Sequence, residues 1–197
     1  MRSRRLVATL AIAAIASLGT GCANSDGGTE ARTRIDLGPA RHFAAFPLYF
    51  LGTRYRTYRL TSDGAPDAAG YQRGHSVAFG YGACKLPPGE GGCPYPVQVA
   101  NYALCDEYPA KYGRDRPRHL RDVRGLPAAV FPTVERGLDK LELYSDRTTI
   151  VIRAPDLHAG LEIAGRLRQV NARSRPSALR PPRGGFDRGR PRACPRS

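Results

Sequence analysis

The stretch that decides the fold is residues 75–105, HSVAFGYGACKLPPGEGGCPYPVQVANYALC. Two runs typical of β-strands are joined there by a loop rich in proline and glycine. In the first run Val77, Phe79 and Tyr81 recur at every second position, which predicts that one strand face points to the core. The other face carries only small residues, so we expect a ring or another backbone to pack closely against it. The stretch therefore predicts an antiparallel hairpin.

The return strand of this hairpin, residues 95–99, begins among prolines. Pro94 and Pro96 have no N–H group to donate, so this strand should lie at an edge of the sheet or begin late. Cys84 and Cys93 flank the loop at the mouth of the hairpin, where antiparallel pairing brings side chains within bridging distance. We predict a disulfide between these two cysteines.

Two further cysteines, Cys105 and Cys194, follow the hairpin. If the first pair forms, Cys105 is left either free or paired with Cys194. Zinc sites need closely spaced ligands, and the chain has neither a Cys-x-x-Cys motif nor histidines at ligand spacing from one another. Phosphate-binding loops and dinucleotide fingerprints are also missing from the sequence. The expectation is a protein without metal or cofactor.

The second half of the chain has the strongest β run, residues 148–153, TTIVIR. Apolar leucines precede a turn at residues 145–147, so a second hairpin is predicted. Pro155 suits the first position of a helix, where its missing N–H is not needed. Apolar residues then recur at helical spacing and predict a stripe that faces the sheet. The stripe consists of Leu157, Leu161, Ala164, Leu167 and Val170.

Shorter elements are predicted elsewhere. Residues 44–60 read as two short strands around a turn at Gly52, and residues 118–123 as a short helix. The resulting expectation is one α+β domain over residues 44–171, large enough to bury a core of its own. It would have a small, mostly antiparallel sheet, a disulfide-pinned hairpin and a C-terminal helix packed on the sheet.

The N-terminus has the layout of a secretory signal over residues 1–21. Arginines precede an apolar run, residues 6–18, that is too short for a membrane span of about 20 residues. Gly21 and Cys22 resemble the last two positions of the lipobox of bacterial lipoproteins. Gly19 departs from the pattern, because the position three before the cysteine is usually aliphatic. In that family the signal is cut before the cysteine, which then carries acyl chains such as palmitate.

The lipobox resemblance implies a lipid anchor at Cys22 on the extracytoplasmic face of the cell membrane. Secretion with an unmodified Cys22 is the alternative. Residues 22–43 begin with a polar, glycine-rich sequence and are expected to be a flexible tether. At the other end, residues 172–197 contain few apolar residues and are expected to be a disordered tail.

The net charge of +14 belongs mainly to the ends of the chain. Removing the three arginines of the signal and the +7 of the tail leaves +4 for residues 22–171. An exported protein would seldom meet nucleic acid, so the basic tail does not indicate a nucleic-acid partner. It is either solvated without a dedicated partner or in loose contact with anionic lipid or a cell-wall polymer.

Catalytic motifs are weak. Residues 74–78 come within one residue of the Gly-x-Ser-x-Gly nucleophile motif, but Ala78 replaces the second glycine. The motif also needs a strand before the serine and a helix after it, whereas here a loop precedes Ser76 and a strand follows. Asp106 and Glu107 are the only adjacent acidic pair. An enzyme is therefore less expected than a binding protein, and a small envelope hydrolase remains the alternative.

Three segments carry a wider resemblance: FPLYFLGTRY at 46–55, the hairpin of 75–105, and LELYSDRTTIVIRA at 141–154. Together they resemble small, functionally uncharacterised exported lipoproteins of high-GC Gram-positive bacteria. The resemblance implies a shared fold and no activity. The expected role is non-enzymatic binding in the cell envelope, with an envelope protein or an anionic polymer as possible partner.

Overall fold

The computed structural model describes residues 35–64, 76–83, 95–106, 119–135, 137–172, 179–187, 190–192 and 194. All of these residues belong to one compact unit, Arg34–Ser197, which is distinct from Met1–Thr33. No helix among them is both long and apolar enough to cross a membrane. In chain order the elements are α1 (Gly38–His42), β1 (Tyr49–Phe50), β2 (Arg54–Tyr55), β3 (Tyr58–Asp63), β4 (Val77–Tyr81), β5 (Val97–Ala103), β6 (His119–Val123), β7 (Leu126–Glu135), β8 (Leu138–Tyr144), β9 (Thr148–Ala154), α2 (Leu157–Arg166), β10 (Arg168–Gln169), β11 (Phe186–Asp187) and β12 (Arg190–Pro191).

Within this described part, eight strands form an antiparallel sheet in the order β2-β3-β4-β5-β9-β8-β7-β6. Two smaller pairs, β1 with β10 and β11 with β12, are also antiparallel. The mostly antiparallel sheet and the helix packed on it are confirmed. Because α2 has only ten residues beside so many strands, α+β describes the fold only loosely.

The hairpin of β4 and β5 confirms the central prediction. The two strands pair from Val77 opposite Asn101 to Tyr81 opposite Val97. Val77, Phe79 and Tyr81 are fully buried on the core face, as their spacing predicted. The return strand begins at Val97, after the prolines, and lies in the interior of the sheet between β4 and β9.

The small residues on the opposite face of β4 have the close neighbours expected of them. A Cβ atom placed on Gly80 would lie 2.6 Å from the ring of Tyr95, and one on Gly82 would lie 2.9 Å from the ring of Tyr58. Both distances are shorter than van der Waals contact. Aromatic rings therefore occupy the space that larger side chains on this face would need.

The hairpin of β8 and β9 and the helix after it are also confirmed. The predicted stripe is only partly right, because α2 ends at Arg166, before Leu167 and Val170, and Leu157 and Leu161 are only partly buried. The helix packs against β8 and β9 and buries Ala159, Ile163 and Ala164. The helix begins at Leu157, two residues later than predicted, so Pro155 lies outside it. Asp156 is the N-cap, and its carboxylate accepts from the N–H of Ala159 at 2.7 Å. An aspartate at the N-cap can accept from a free N–H group of the first helical turn, whereas a proline side chain has no acceptor atom.

The predicted short helix near residues 118–123 is wrong, because this segment forms β6. It pairs with β7 through a tight turn in which Arg124 and Gly125 both have positive φ, as in a type I′ hairpin. The carboxylate of Asp122 accepts from the N–H of Gly125 at 2.8 Å. Pairing along a whole strand outweighs the weak preference of so short a segment for a helix.

The folded body begins earlier than the predicted boundary at residue 44. Leu37, Ala40 and Phe43 are spaced three residues apart around α1 and are buried in the main core. The described part of residues 22–43 thus packs as part of the domain, whereas a tether was expected. The spacing of these apolar residues is typical of a helix that faces a core, and it could have predicted α1. The polar sequence that follows Cys22 favoured a tether instead.

Side chains of the sheet and of the C-terminal segment hold the backbone of residues 43–51 in place. The amide of Asn101 accepts from the N–H of Tyr49 at 2.8 Å and donates to its carbonyl at 3.0 Å. The hydroxyl of Tyr81 accepts from the N–H of Leu51 at 2.8 Å. We call four of the side chains that bind this backbone the polar clamp: Tyr81, Asn101, Thr148 and Asn171.

The described residues of the C-terminal segment are ordered, contrary to the expectation for residues 172–197. Leu179 packs against the main core, and Pro182 and Pro191 are buried. β11 and β12 form a small hairpin whose end is joined to the sheet by a disulfide between Cys105 and Cys194. A crosslink lowers the entropic cost of ordering a segment that has too few apolar residues to fold alone.

Candidate functional site

The predicted site residues Cys22, Cys84 and Cys93 lie outside the described residues, so lipidation and the hairpin disulfide remain predictions. Ser76 lies immediately before β4, and the strand that follows it excludes the strand–serine–helix turn of a nucleophile motif.

Metal chemistry also finds no support within the described ranges, where no three histidine, cysteine, aspartate or glutamate side chains form a group able to hold an ion. The Nδ1–H group of His42 donates to the carbonyl of Gly38, 2.8 Å away. His158 is exposed on α2.

The disulfide between Cys105 and Cys194 is the clearest feature that the sequence left open. Its two Cα atoms are 5.2 Å apart, and it links residues 89 positions apart in the chain. Cys105 follows β5 in a turn and has a φ of +77°, a conformation that residues other than glycine rarely adopt. Of the two alternatives for Cys105, pairing with Cys194 is therefore the one observed.

The disulfide positions a compact C-terminal loop beside the turn that joins β8 and β9. The N–H of Asp146 donates to the carbonyl of Arg180 at 2.8 Å, and the N–H of Leu104 donates to the carbonyl of Arg147 at 3.0 Å. The N–H of Arg192 donates to the carbonyl of Gly185 at 3.0 Å. These bonds and the disulfide place the ends of β5, β8 and the C-terminal loop together.

Four exposed arginines lie at this end of the sheet, and we call them the arginine surface: Arg147, Arg180, Arg183 and Arg192. Within the described residues none of them forms a salt bridge. Three acids have their backbone beside them, Asp106 and Asp146, which are half-buried, and Asp187 of β11, so the four arginines outnumber these acids by one. The arginine surface therefore presents a net positive charge from an ordered backbone.

A second charged group joins α2 to the edge strand β2. Glu162 pairs with Arg56, and it accepts from Arg166 at 3.0 Å. The two guanidinium groups lie 5.4 and 5.8 Å from the centre of the Tyr55 ring, close enough for cation–π attraction. We call this group of four side chains the Tyr55 cluster.

The pKa shifts in the Tyr55 cluster move its groups away from neutral pH. The hydrogen bond from Arg56 lowers the pKa of Glu162, and burial raises the pKa of Tyr55. The nearby charge of Glu162 raises the pKa of Tyr55 further. A general acid or base works best with a pKa near the working pH, so these shifts fit a structural contact better than catalysis.

Substituting Glu162→Gln should make stability less dependent on pH. The native pKa of Glu162 lies below its usual value of 4.5, so its contribution is present at neutral pH and is lost as pH falls through the native pKa. The difference in unfolding free energy between pH 7 and pH 3, measured by urea titration, should be smaller in E162Q than in the parent. Arg56→Gln removes the partner that lowers this pKa most but leaves Arg166, so it should give a smaller reduction. An unchanged difference in both variants would contradict the ion pair.

A third polar group lies on the sheet face opposite the main core. Lys140, Glu142 and Tyr144 alternate along β8, so their side chains share one face. Glu142 pairs with Lys140 at 2.9 Å and accepts from the hydroxyl of Tyr144, while Lys140 Nζ lies 4.0 Å from the centre of the Phe131 ring. Glu142 is only 4% exposed and Tyr144 only 2%.

A buried carboxylate beside a lysine and a tyrosine is a combination that enzymes use, and it was not predicted from the sequence. The charges at every second residue of a strand with leucines between them could have indicated it. Here the carboxylate is already paired, and a buried charge is costly unless it is paired and hydrogen bonded. With both oxygens engaged and almost no exposure, Glu142 stabilises this face rather than reacting with a substrate.

Comparisons with protein families, with curated proteins and with solved structures found no significant match to this chain.

Proposed function

We propose that the protein is exported, anchored by a lipid on Cys22 to the extracytoplasmic face of the cell membrane, and acts there by binding rather than by catalysis. The observation that carries this proposal is the Cys105–Cys194 disulfide. Disulfides persist in exported proteins and are rare in the reducing cytoplasm of most organisms. A folded body that includes such a bond fits an oxidising compartment.

Two features of the sequence support the same location. Residues 1–21 have the charge, length and apolar run of a secretory signal, and Cys22 follows directly. The alternative of a secreted protein without an anchor shares the signal and differs only in the fate of Cys22.

A binding role is favoured by the state of the polar groups. The charged side chains of the Tyr55 cluster and of β8 are satisfied by one another, whereas the arginine surface offers charges that no described carboxylate neutralises. We therefore infer that the partners are the membrane, through Cys22, and an anionic component or a protein of the envelope. Nucleic acid is not expected as a partner outside the cell.

The proposal is tested by intact mass spectrometry of the membrane fraction after expression of the full chain in a bacterial host. We expect a chain that begins at Cys22 and carries a diacyl or triacyl mass. Peptide mapping without reduction should recover a crosslinked peptide that contains Cys105 and Cys194. The matched control is Cys22→Ser, which should lose the acyl mass and keep the crosslink.

The other outcomes overturn separate parts of the proposal. An exported chain with an unmodified Cys22 would leave the secreted alternative and reject the anchor. Retention of residues 1–21 inside the cell would reject export, and alkylation of Cys105 and Cys194 without prior reduction would remove the observation on which the proposal rests.

A further inference from the structure

We propose that the arginine surface docks the folded body on the phosphate groups of anionic phospholipids, so that the protein lies against the membrane that holds its anchor. This inference rests on the proposed function, because it takes the lipid anchor at Cys22 as given. It adds a second, protein-mediated contact and names the ligand chemistry.

The first argument is that the four arginines are presented from an ordered backbone. Arg180 is fixed beside the β8–β9 turn by the bond from Asp146, and Arg147 belongs to that turn. Arg192 lies two residues before the disulfide, and its Cβ would be 3.7 Å from a Cβ on Gly184, the neighbour of Arg183. Little further ordering of the backbone is needed on binding, so less conformational entropy is lost than with a disordered basic tail.

The second argument is charge. All four side chains are exposed, and in the described residues their guanidinium groups have no carboxylate partner. The guanidinium of Arg147 donates to the carbonyl of Ala45 at 3.4 Å, which leaves its charge uncompensated. Guanidinium groups bind phosphate through paired N–H donors, and a basic residue near an anionic membrane contributes about 1 kcal/mol.

The third argument is distance, and it favours lipid over a more remote polymer. Twelve residues separate Cys22 from Ile35, the first described residue, and they span at most about 43 Å when fully extended. A body of this size has a radius of gyration of about 15 Å. An anchored body therefore stays close to the headgroups, and phospholipid phosphate is the anion that it meets at the highest local concentration.

The test uses residues 34–197, which form a compact unit with the whole described core, so that neither the anchor nor the signal contributes to binding. Binding is measured by co-sedimentation with vesicles of 30% phosphatidylglycerol and 70% phosphatidylcholine, and with vesicles of phosphatidylcholine alone. The variant combines Arg180→Gln, Arg183→Gln and Arg192→Gln. The matched control removes three exposed arginines from β2, β3 and β6: Arg54→Gln, Arg59→Gln and Arg121→Gln.

We expect the parent to bind the anionic vesicles and not the neutral ones. The variant should bind about a hundredfold more weakly, because three contacts of about 1 kcal/mol are lost. The control should differ from the parent by less than about threefold, although its net charge equals that of the variant, because fields from the distant edges are screened beyond about 10 Å at 0.1 M salt. Unfolding midpoints of both should match the parent, since only exposed side chains change.

Three results would overturn the inference. Equal loss in the variant and the control would mean that net charge alone acts, and equal binding to neutral vesicles would mean that phosphate charge is not recognised. Displacement from vesicles by low concentrations of soluble poly(glycerol phosphate) would assign the surface to an envelope polymer. Because Cys22 is absent from the tested chain, failure of docking is separate from failure of lipidation.

Discussion

Replacing Cys105 and Cys194 together by serine is expected to lower the free energy of unfolding by about 3 kcal/mol. The bond closes a loop of 89 residues that contains β6 to β9 and α2. The chain-entropy account of a loop of this length gives about 4.5 kcal/mol as the ceiling. The expected loss is smaller, because a reduced C-terminal segment can detach and regain conformational freedom.

Urea unfolding of the parent and of the double variant measures this effect. Substitution is preferable to chemical reduction, because a reductant would also act on a bond between Cys84 and Cys93. The single variants Cys105→Ser and Cys194→Ser provide the control, since each one alone removes the bond and should lose as much stability as the double variant. Losses that add up between the two single variants would show that the cysteines act independently and are not bonded.

Replacing Asn101 by leucine is expected to lower the free energy of unfolding by about 4 kcal/mol. Asn101 is fully buried, and its side-chain amide binds both the N–H and the carbonyl of Tyr49 in β1. The amide thus makes the two hydrogen bonds that the backbone of a neighbouring strand would otherwise make. It also donates to the carbonyl of Val77 at 3.3 Å. Leucine has the same branched shape but leaves two buried backbone groups of Tyr49 without these partners, at a cost of about 1–3 kcal/mol for each group.

The matched control is Gln98→Leu, which lies on the opposite face of the same strand and is itself half-buried. Gln98 accepts from Arg153 at 3.0 Å, and both side chains remain in reach of water. We expect a loss below about 1 kcal/mol, the usual net contribution of one accessible hydrogen bond. Equal losses in the two variants would contradict a special role for Asn101 in holding β1.

Much of the sheet could be predicted from short-range patterns. The period-two spacing of apolar residues in 77–81 identified β4, the strong β run in residues 148–153 identified β9, and the helical spacing after Pro155 identified α2. Each of these patterns spans only a few residues and shows which side chains face the core. A local sequence therefore carries enough information to place them.

The errors share one cause. β6 was predicted as a helix, residues 37–43 as part of a tether, and the C-terminal segment as disordered. In each case the stabilising partner is distant or covalent: strand β7, the main core, and Cys105 respectively. Weak local preferences cannot indicate how much stability such partners contribute.

The sequence by itself determined the two hairpins, the helix after the second of them, and the layout of the N-terminus that predicts export. Only the tertiary structure decided which cysteine pairs with Cys105, how Asn101 binds β1 across 52 positions, and that four arginines share one end of the sheet. The physical reason is range. Periodicity reports which way a side chain faces, whereas the identity of a distant partner depends on how the whole chain packs.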